Sequence, residues 1–302
     1  MMKFDIFSQA INIMNIRKQL ANRSGFWSRH MGNIKRDIYL NKLINSRENG
    51  KTKIVSGMRR SGKSHLLFIL YFENLLSTGV DAENIIRLSL EDPSHIDLRN
   101  PDNIYRYINA RLQNNDRMHY VFLDEVWHAI GNEDVKGGKG MPLYGLFDKL
   151  MALGNADLYV TTSNSKYLTK DVKDEFKDRT EEIRVYPLSF SEYYDFVRGS
   201  KWDAYEEYAL HGGLPLILSK TTAAEKEKYL DELFKEVYFT DISERYSFSH
   251  PEVMEGLMEV LTSLGCLTDS SKISSVLRSE KGIKADEETV SSYLDCLEDS
   301  FL

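Results

Sequence analysis

A chain of 302 residues with 46 acidic and 39 basic side chains carries a net charge of −7, which argues against indiscriminate nucleic-acid binding. A composition 42% hydrophobic and 28% charged fits an ordinary globular protein of one large domain or two to three smaller ones. The two cysteines, Cys266 and Cys296, are too few for a disulfide scaffold and lie in no metal-like cluster, so a reducing cytoplasm is the expected compartment.

No stretch approaches the length needed to span a bilayer; the most apolar run, LLFILYF from Leu66, is too short. The first residues, MMKFDIFSQAINIMNIRKQL, contain no clean apolar core and no small-residue cleavage site, so they do not read as a signal peptide. MGNIKRDIYL, beginning at Met31, looks like a second natural start, which makes residues 1–30 an expected extension.

From Ile34 to Ser46 the spacing predicts a helix. Strand and helix patterns then alternate, the signature of an α/β domain. KIVSG (Lys53 to Gly57) reads as a buried strand and leads through a glycine-containing loop into an apolar helix from Lys63 to about Leu76. IIRLSL (Ile85 to Leu90) is a second strand closed by a turn at Glu91 to Pro93, and a helix from about Asp102 to Gln113 leads into HYVFLDE, a third strand ending at Glu125. Residues Gly131 to Pro142 form a polar, glycine-rich loop. A helix near Leu143 to Leu153, a fourth strand at Ala156 to Thr162, a helix to about Arg179 and a last strand at Glu182 to Pro187 complete the pattern. Strands separated by helices pair in parallel and present ligands at their carboxyl ends. From Ser189 onward all spacing is helical.

The chemistry gathers in three places. GMRRSGKS, Gly57 to Ser64, matches G-x-x-x-x-G-K-[ST] between a strand and a helix. Glycines there let backbone N–H groups turn inward around phosphate oxygens, and the helix N-terminus adds partial positive charge. Gly57, Arg59, Arg60, Ser61, Gly62, Lys63, Ser64 and His65 are therefore the candidate nucleotide cradle, with Lys63 bridging the β- and γ-phosphates and Ser64 ligating Mg²⁺. One of the two loop arginines is expected on phosphate and the other on a carboxylate such as Glu91 or Asp92; solvated charge is the alternative. The second place is VFLDE, where a buried strand delivers Asp124 to the metal and Glu125 to an attacking water as general base. A plain acidic strand end is the alternative. The third lies beyond the fourth strand. Asn164 either orients water between loop and acidic pair or caps a helix. Arg179 either answers a helix dipole or serves a neighbouring subunit as an arginine finger.

No Asn-Lys-x-Asp base-reading motif occurs, and NSKY from Asn164 to Tyr167 is not one, so ATP is favoured over GTP. The glycines of HGGLP (His211 to Pro215) either approach the adenine or stop a helix, and His211 has no metal-ligand companions.

The order GMRRSGKS, EDP, VFLDE, TTSNSKYL, DRTEEIRVYPLSFSEYY, GGLP and DISERY, from about Ile34 to Tyr246, resembles the prokaryotic AAA-type ATP-binding proteins that join a P-loop domain to a C-terminal domain of unknown function. The resemblance implies an α/β P-loop NTPase (AAA-like) parallel sheet flanked by helices, then a helical lid and a winged-helix-like segment, with Mg-ATP as ligand and self-association or a protein partner. Residues 1–30 are then an extension, 31–190 the ATPase core, 191–248 the lid and 249–302 the winged-helix-like part. Family members continue into a nuclease-like domain where this chain ends inside an amphipathic helix, so a truncated chain or one part of a split reading frame is the expectation. A winged helix suggests DNA, but its candidate recognition helix, DEETVSSYLDCLEDSF, is acidic and would repel phosphates. A protein-contact or intramolecular role is preferred over DNA binding. The reading is Mg-dependent ATP binding and hydrolysis; its rivals are a non-hydrolysing ATP-bound interaction module and a DNA-associated ATPase.

Overall fold

Continuous apolar runs form the inner strands, because a strand covered by helices on both faces has no polar side to present. In the computed structural model, which describes residues 34–112, 117–129, 141–163, 178–237, 242, 248–264 and 269–301, β1 is Thr52–Ser56, β2 Ile85–Ser89, β3 His119–Asp124, β4 Ala156–Thr162 and β5 Thr180–Arg184. Every residue of β1, β3 and β4 is buried. β5 begins two residues before the expected Glu182 and buries fully only Ile183, as suits a charged edge strand. All pairings are parallel, in the order β2-β3-β4-β1-β5.

Alternation along β3 sorts the core. Val121 and Leu123 face one layer, with Ile104 and Ile108 of α3 (Pro101–Leu112) and Leu146 and Phe147 of α4 (Met141–Met151). Tyr120 and Phe122 face the other, with Leu43 of α1 (Asp37–Asn45) and the helix that follows the phosphate loop. That helix, α2, joins Lys63–His65, a π-helical stretch Leu66–Tyr71 and Phe72–Ser77. The expected uniform helix is thus interrupted. LLFILY has no single apolar stripe at 3.6 residues per turn, and the wider π turn brings Leu66 and Tyr71, both buried, toward one face.

At the amino end of the sheet the Lys53 ammonium is fully buried and pairs with Asp157 of β4. Tyr159 donates to Asp157 Oδ2 at 2.6 Å, Tyr71 and Tyr159 share a hydroxyl bond of 2.6 Å, and the Glu48 N–H donates to the same Oδ2 at 2.9 Å. Burial pulls the Lys53 pKa down against the attraction of Asp157.

Beyond the sheet, α5 (Phe190–Val197) opens with a reciprocal cap between Ser189 and Glu192. With α6 (Lys201–His211) it covers a small cluster of Ile34, Leu188, Tyr193 and Ala204. α7 spans Ala223–Glu236. The described residues up to Glu227 form one compact unit and those from Lys228 a second. In the second, α8 (Pro251–Leu264), α9 (Ser270–Glu280) and α10 (Glu287–Asp299) bury Leu257, Ile273, Leu277 and Val290. Asp269 and Asp286 cap α9 and α10. Among the described residues no helix is long and apolar enough to cross a membrane. Asn164, the loop at residues 131–140 and Cys266 lie outside the described residues.

Candidate functional site

The phosphate loop is shaped by two glycines. Gly57 has φ +145°, and a Cβ there would lie 2.1 Å from the Val185 carbonyl oxygen, because the chain leaving β5 crosses it and Val185 N–H donates to the Ser56 carbonyl at 2.7 Å. Gly62 has φ +99° and turns the loop into the first residue of α2. Arg60 is also left-handed, at φ +64°.

Strand order decides what meets this loop. β4 lies between β1 and β3, so the end of β4 stands between the loop and the acidic strand end and supplies polar groups to the latter. Ser64 Oγ donates to Asp124 Oδ1 at 2.8 Å, and Thr161 Oγ1 donates to the same oxygen at 2.6 Å. Thr161 Oγ1 in turn accepts from the Glu125 N–H at 2.9 Å. Glu125 itself is left-handed, at φ +52°, which turns its carboxyl group out of the strand direction. Its Oε2 accepts from Ser163 N–H, Ser163 Oγ and Trp127 Nε1, each at 2.9 Å. Its Oε1 lies 3.5 Å from Lys63 Nζ, which also donates to the Met58 carbonyl at 3.0 Å.

Burial raises the proton affinity of both carboxyls, and their unequal partners then set them on opposite sides of their ordinary values. Desolvation and the neighbouring Glu125 charge push Asp124 up to about 6, against the Thr161 and Ser64 donors and Lys63. Desolvation also raises Glu125, but the Lys63 charge and the Ser163 and Trp127 donors outweigh it and leave the carboxyl below its ordinary value. His65, on the first turn of α2, is held down to about 4 by burial and by the Arg36 charge, so its imidazole is neutral.

Lys63, Ser64, Asp124 and Glu125 thus come together at the carboxyl end of the sheet. Arg59 reaches Glu91 at 2.9 Å, the carboxylate partner anticipated for one loop arginine. Arg179 does not join them. Its carbonyl accepts from Thr52 N–H at 2.9 Å and its guanidinium meets Asp148 at 2.5 Å, so it sits in the turn that opens β5. That is the amino end of the sheet, a strand length of roughly 16 Å from its own phosphate loop. HGGLP ends α6 at His211, and its Gly213 packs against the chain leaving β5: Leu188 N–H donates to its carbonyl at 2.7 Å, and a Cβ would meet Leu188 O at 2.1 Å.

Several partners of these residues escaped the sequence, Trp127 with its bond to Glu125 among them. Thr161 and Ser163 drew no reading of their own, although TTSN, which holds Asn164, was a usable signal. Arg36, which nothing in the sequence singles out, is another. It is buried, with bonds to the carbonyls of Ser61 at 3.4 Å and Tyr186 at 2.6 Å and an ion pair to Glu192 at 3.2 Å, so it ties the back of the loop to α5.

Residues 49–194 match the sequence profile of a family described as AAA domain. This stretch of the chain is an AAA domain. Residues 203–302 match a domain of unknown function (DUF8612). An uncharacterized protein of Haemophilus influenzae is 29% identical over 278 residues, covering 89% of this chain and 65% of that protein. The uncharacterized protein MJ1544 of Methanocaldococcus jannaschii is 22% identical over 285 residues, covering 89% of this chain and 58% of its own length. The chain thus spans less than two thirds of either relative. Among solved structures, the Aeropyrum pernix ORC2 protein, described in ADPNP-ADP complexes, matches with a TM-score of 0.52 at 10% identity, covering 87% of this chain and 84% of that one. At that identity the likeness is one of fold. The AAA domain keeps the parallel sheet with helices on both faces, and its phosphate loop is a P-loop in the expected place.

Proposed function

We propose that this AAA domain binds Mg-ATP at Gly57–Ser64 and hydrolyses it. The observation that carries the reading is the Ser64–Asp124 contact of 2.8 Å, with Glu125 next in the chain and its Oε1 turned to Lys63. The residues fit the ligand. A hydroxyl and a desolvated carboxylate converge as hard oxygen donors, which suits Mg²⁺, and the left-handed loop glycines leave room for phosphate against backbone N–H groups. Ser64 and Asp124 would hold Mg²⁺, which neutralises charge on the phosphate oxygens. The relation in fold to a protein described with ADPNP and ADP supports a nucleotide as the ligand.

In this reading Lys63 leaves the Met58 carbonyl and Glu125 for the β- and γ-phosphates. Glu125 takes a proton from the water whose oxygen attacks the γ-phosphorus. The bond to the β–γ bridging oxygen breaks, its electron pair stays with ADP, and the proton passes on to the phosphate released. Asn164 orients that water. Arg59, Arg60, Ser61 and His65 complete the cradle, Arg59 through Glu91. Arg179 enters only from a neighbouring copy of the chain. The energy is used to move a partner or an oligomer through the α5–α6 helices, for which Arg36 is the mechanical link to the loop.

The test is steady-state ATP turnover with Mg²⁺, compared among wild type, Lys63→Ala and Glu125→Gln. We expect Lys63→Ala to lose nucleotide binding and Glu125→Gln to keep binding while losing turnover by about a hundredfold or more. A wild-type rate in Glu125→Gln would overturn the assignment of the base. Tight ATP binding with no turnover in wild type would favour a non-hydrolysing switch.

A further inference from the structure

A carboxylate that serves as a base must offer one oxygen to water, and Glu125 has only one to offer. Its Oε2 already takes three donors, Ser163 N–H, Ser163 Oγ and Trp127 Nε1, all at 2.9 Å. An oxygen with two lone pairs is saturated by such a set. Oε1 instead lies toward Lys63 Nζ at 3.5 Å, on the side where the terminal phosphate would sit. One further bond and the backbone conformation fix the residue behind this carboxyl. The Glu125 N–H is tied to Thr161 at 2.9 Å, and its φ of +52° directs the side chain.

We propose that Trp127 is a positioning residue for the Glu125 base: with Ser163 its indole N–H pins Oε2, so that Oε1 alone receives the proton of the attacking water. The inference rests on the reading of Glu125 as the base. Trp127 is the partner to test, because one of the two Ser163 donors is backbone and cannot be deleted by substitution. Its ring stacks on His128 with centroids 3.8 Å apart, which holds the N–H in line. Without that donor the carboxyl rotates about its last torsion, and the base oxygen spends most of its time away from the water. Binding of Mg-ATP, which depends on the loop and Asp124, is untouched.

The experiment measures kcat and KM for Mg-ATP in the full chain carrying Trp127→Phe, Trp127→Gln, Glu125→Gln and the double variant Trp127→Phe/Glu125→Gln. Phe keeps an aromatic ring without a donor; Gln returns an N–H donor at similar reach. Trp127→Phe is expected to lower kcat about tenfold with KM within about twofold, an interaction made in the transition state alone. Trp127→Gln should recover most of the loss, and the double variant should be no slower than Glu125→Gln. Should Trp127→Phe fail to fold by circular dichroism, Ser163→Ala, which removes one hydroxyl donor to the same oxygen, takes its place with the same expected split. Equal losses in Phe and Gln variants, a loss residing in KM, or a wild-type kcat in Trp127→Phe would each overturn the clamp. If Glu125→Gln turns over at the wild-type rate, the base itself is misassigned and the clamp falls with it; if Glu125→Gln is slow and Trp127→Phe is not, the clamp alone falls.

Discussion

Ser64 Oγ donates to Asp124 Oδ1 over 2.8 Å, joining the first turn of α2 to the end of β3. The same carboxyl is desolvated and pushed up to about 6. An acid with a raised folded pKa destabilises the fold as pH rises from 3.8 through 6, because the unfolded chain sheds its proton first. At pH 7 the whole penalty is present. Asp124→Asn is therefore expected to stabilise the ligand-free protein by about 1–2 kcal/mol, less than the full shift because a neutral amide oxygen accepts the Ser64 and Thr161 hydroxyls more weakly than a carboxylate does. The same variant should gain no thermal stability from Mg-ATP. Melting curves with and without Mg-ATP check both halves; a lower melting temperature in the ligand-free variant contradicts the first.

His65 gives a pH dependence of the opposite sign. Its folded pKa is about 4 against an ordinary 6.5, so between those values the unfolded chain binds the extra proton. Its contribution is fully present above 6.5 and is lost as pH falls through 4. Denaturant unfolding at pH 7 and pH 5 should show a drop of about 2 kcal/mol attributable to this group. In His65→Gln that part of the drop should vanish.

Gly57 and Gly62 both have positive φ, yet alanine should act differently at the two. At Gly57 the new Cβ meets the Val185 carbonyl at 2.1 Å, while at Gly62 the nearest atom is Pro215 Cγ at 3.6 Å. Gly62→Ala carries only backbone strain, about 1–3 kcal/mol. Gly57→Ala must also push β5's exit away, so it is expected to unfold at least 2 kcal/mol more easily than Gly62→Ala by urea titration.

The Lys53–Asp157 pair is structural. Breaking it from one side leaves a buried charge, so Lys53→Met and Asp157→Leu should each cost about 3–5 kcal/mol. The double variant should cost less than either alone, because no uncompensated charge remains. Urea midpoints of the three variants decide it, and an additive double loss would contradict the pairing.

The loop and the acidic strand end were legible because both are local. A glycine loop between an apolar strand and a helix, and a carboxylate pair at the end of VFLDE, need only neighbouring residues and backbone geometry to be recognised. The strands were legible for the same reason, since four of them are buried runs with a two-residue period or none. Boundaries were less so. β5 starts at Thr180 because Thr52 N–H reaches the Arg179 carbonyl, a bond between segments more than a hundred residues apart.

What the sequence by itself determined is the parallel sheet, the phosphate-loop motif between β1 and α2 and the acidic end of β3. The tertiary structure alone decided which residues share the site. Placing β4 between β1 and β3 brings Thr161 and Ser163 onto Asp124 and Glu125, and it sends Arg179 to the far end of the sheet. Strand order is set by which faces and edges the helices can cover, a property of the whole packed layer. No local pattern in TTSN or DRTEEIR carries it.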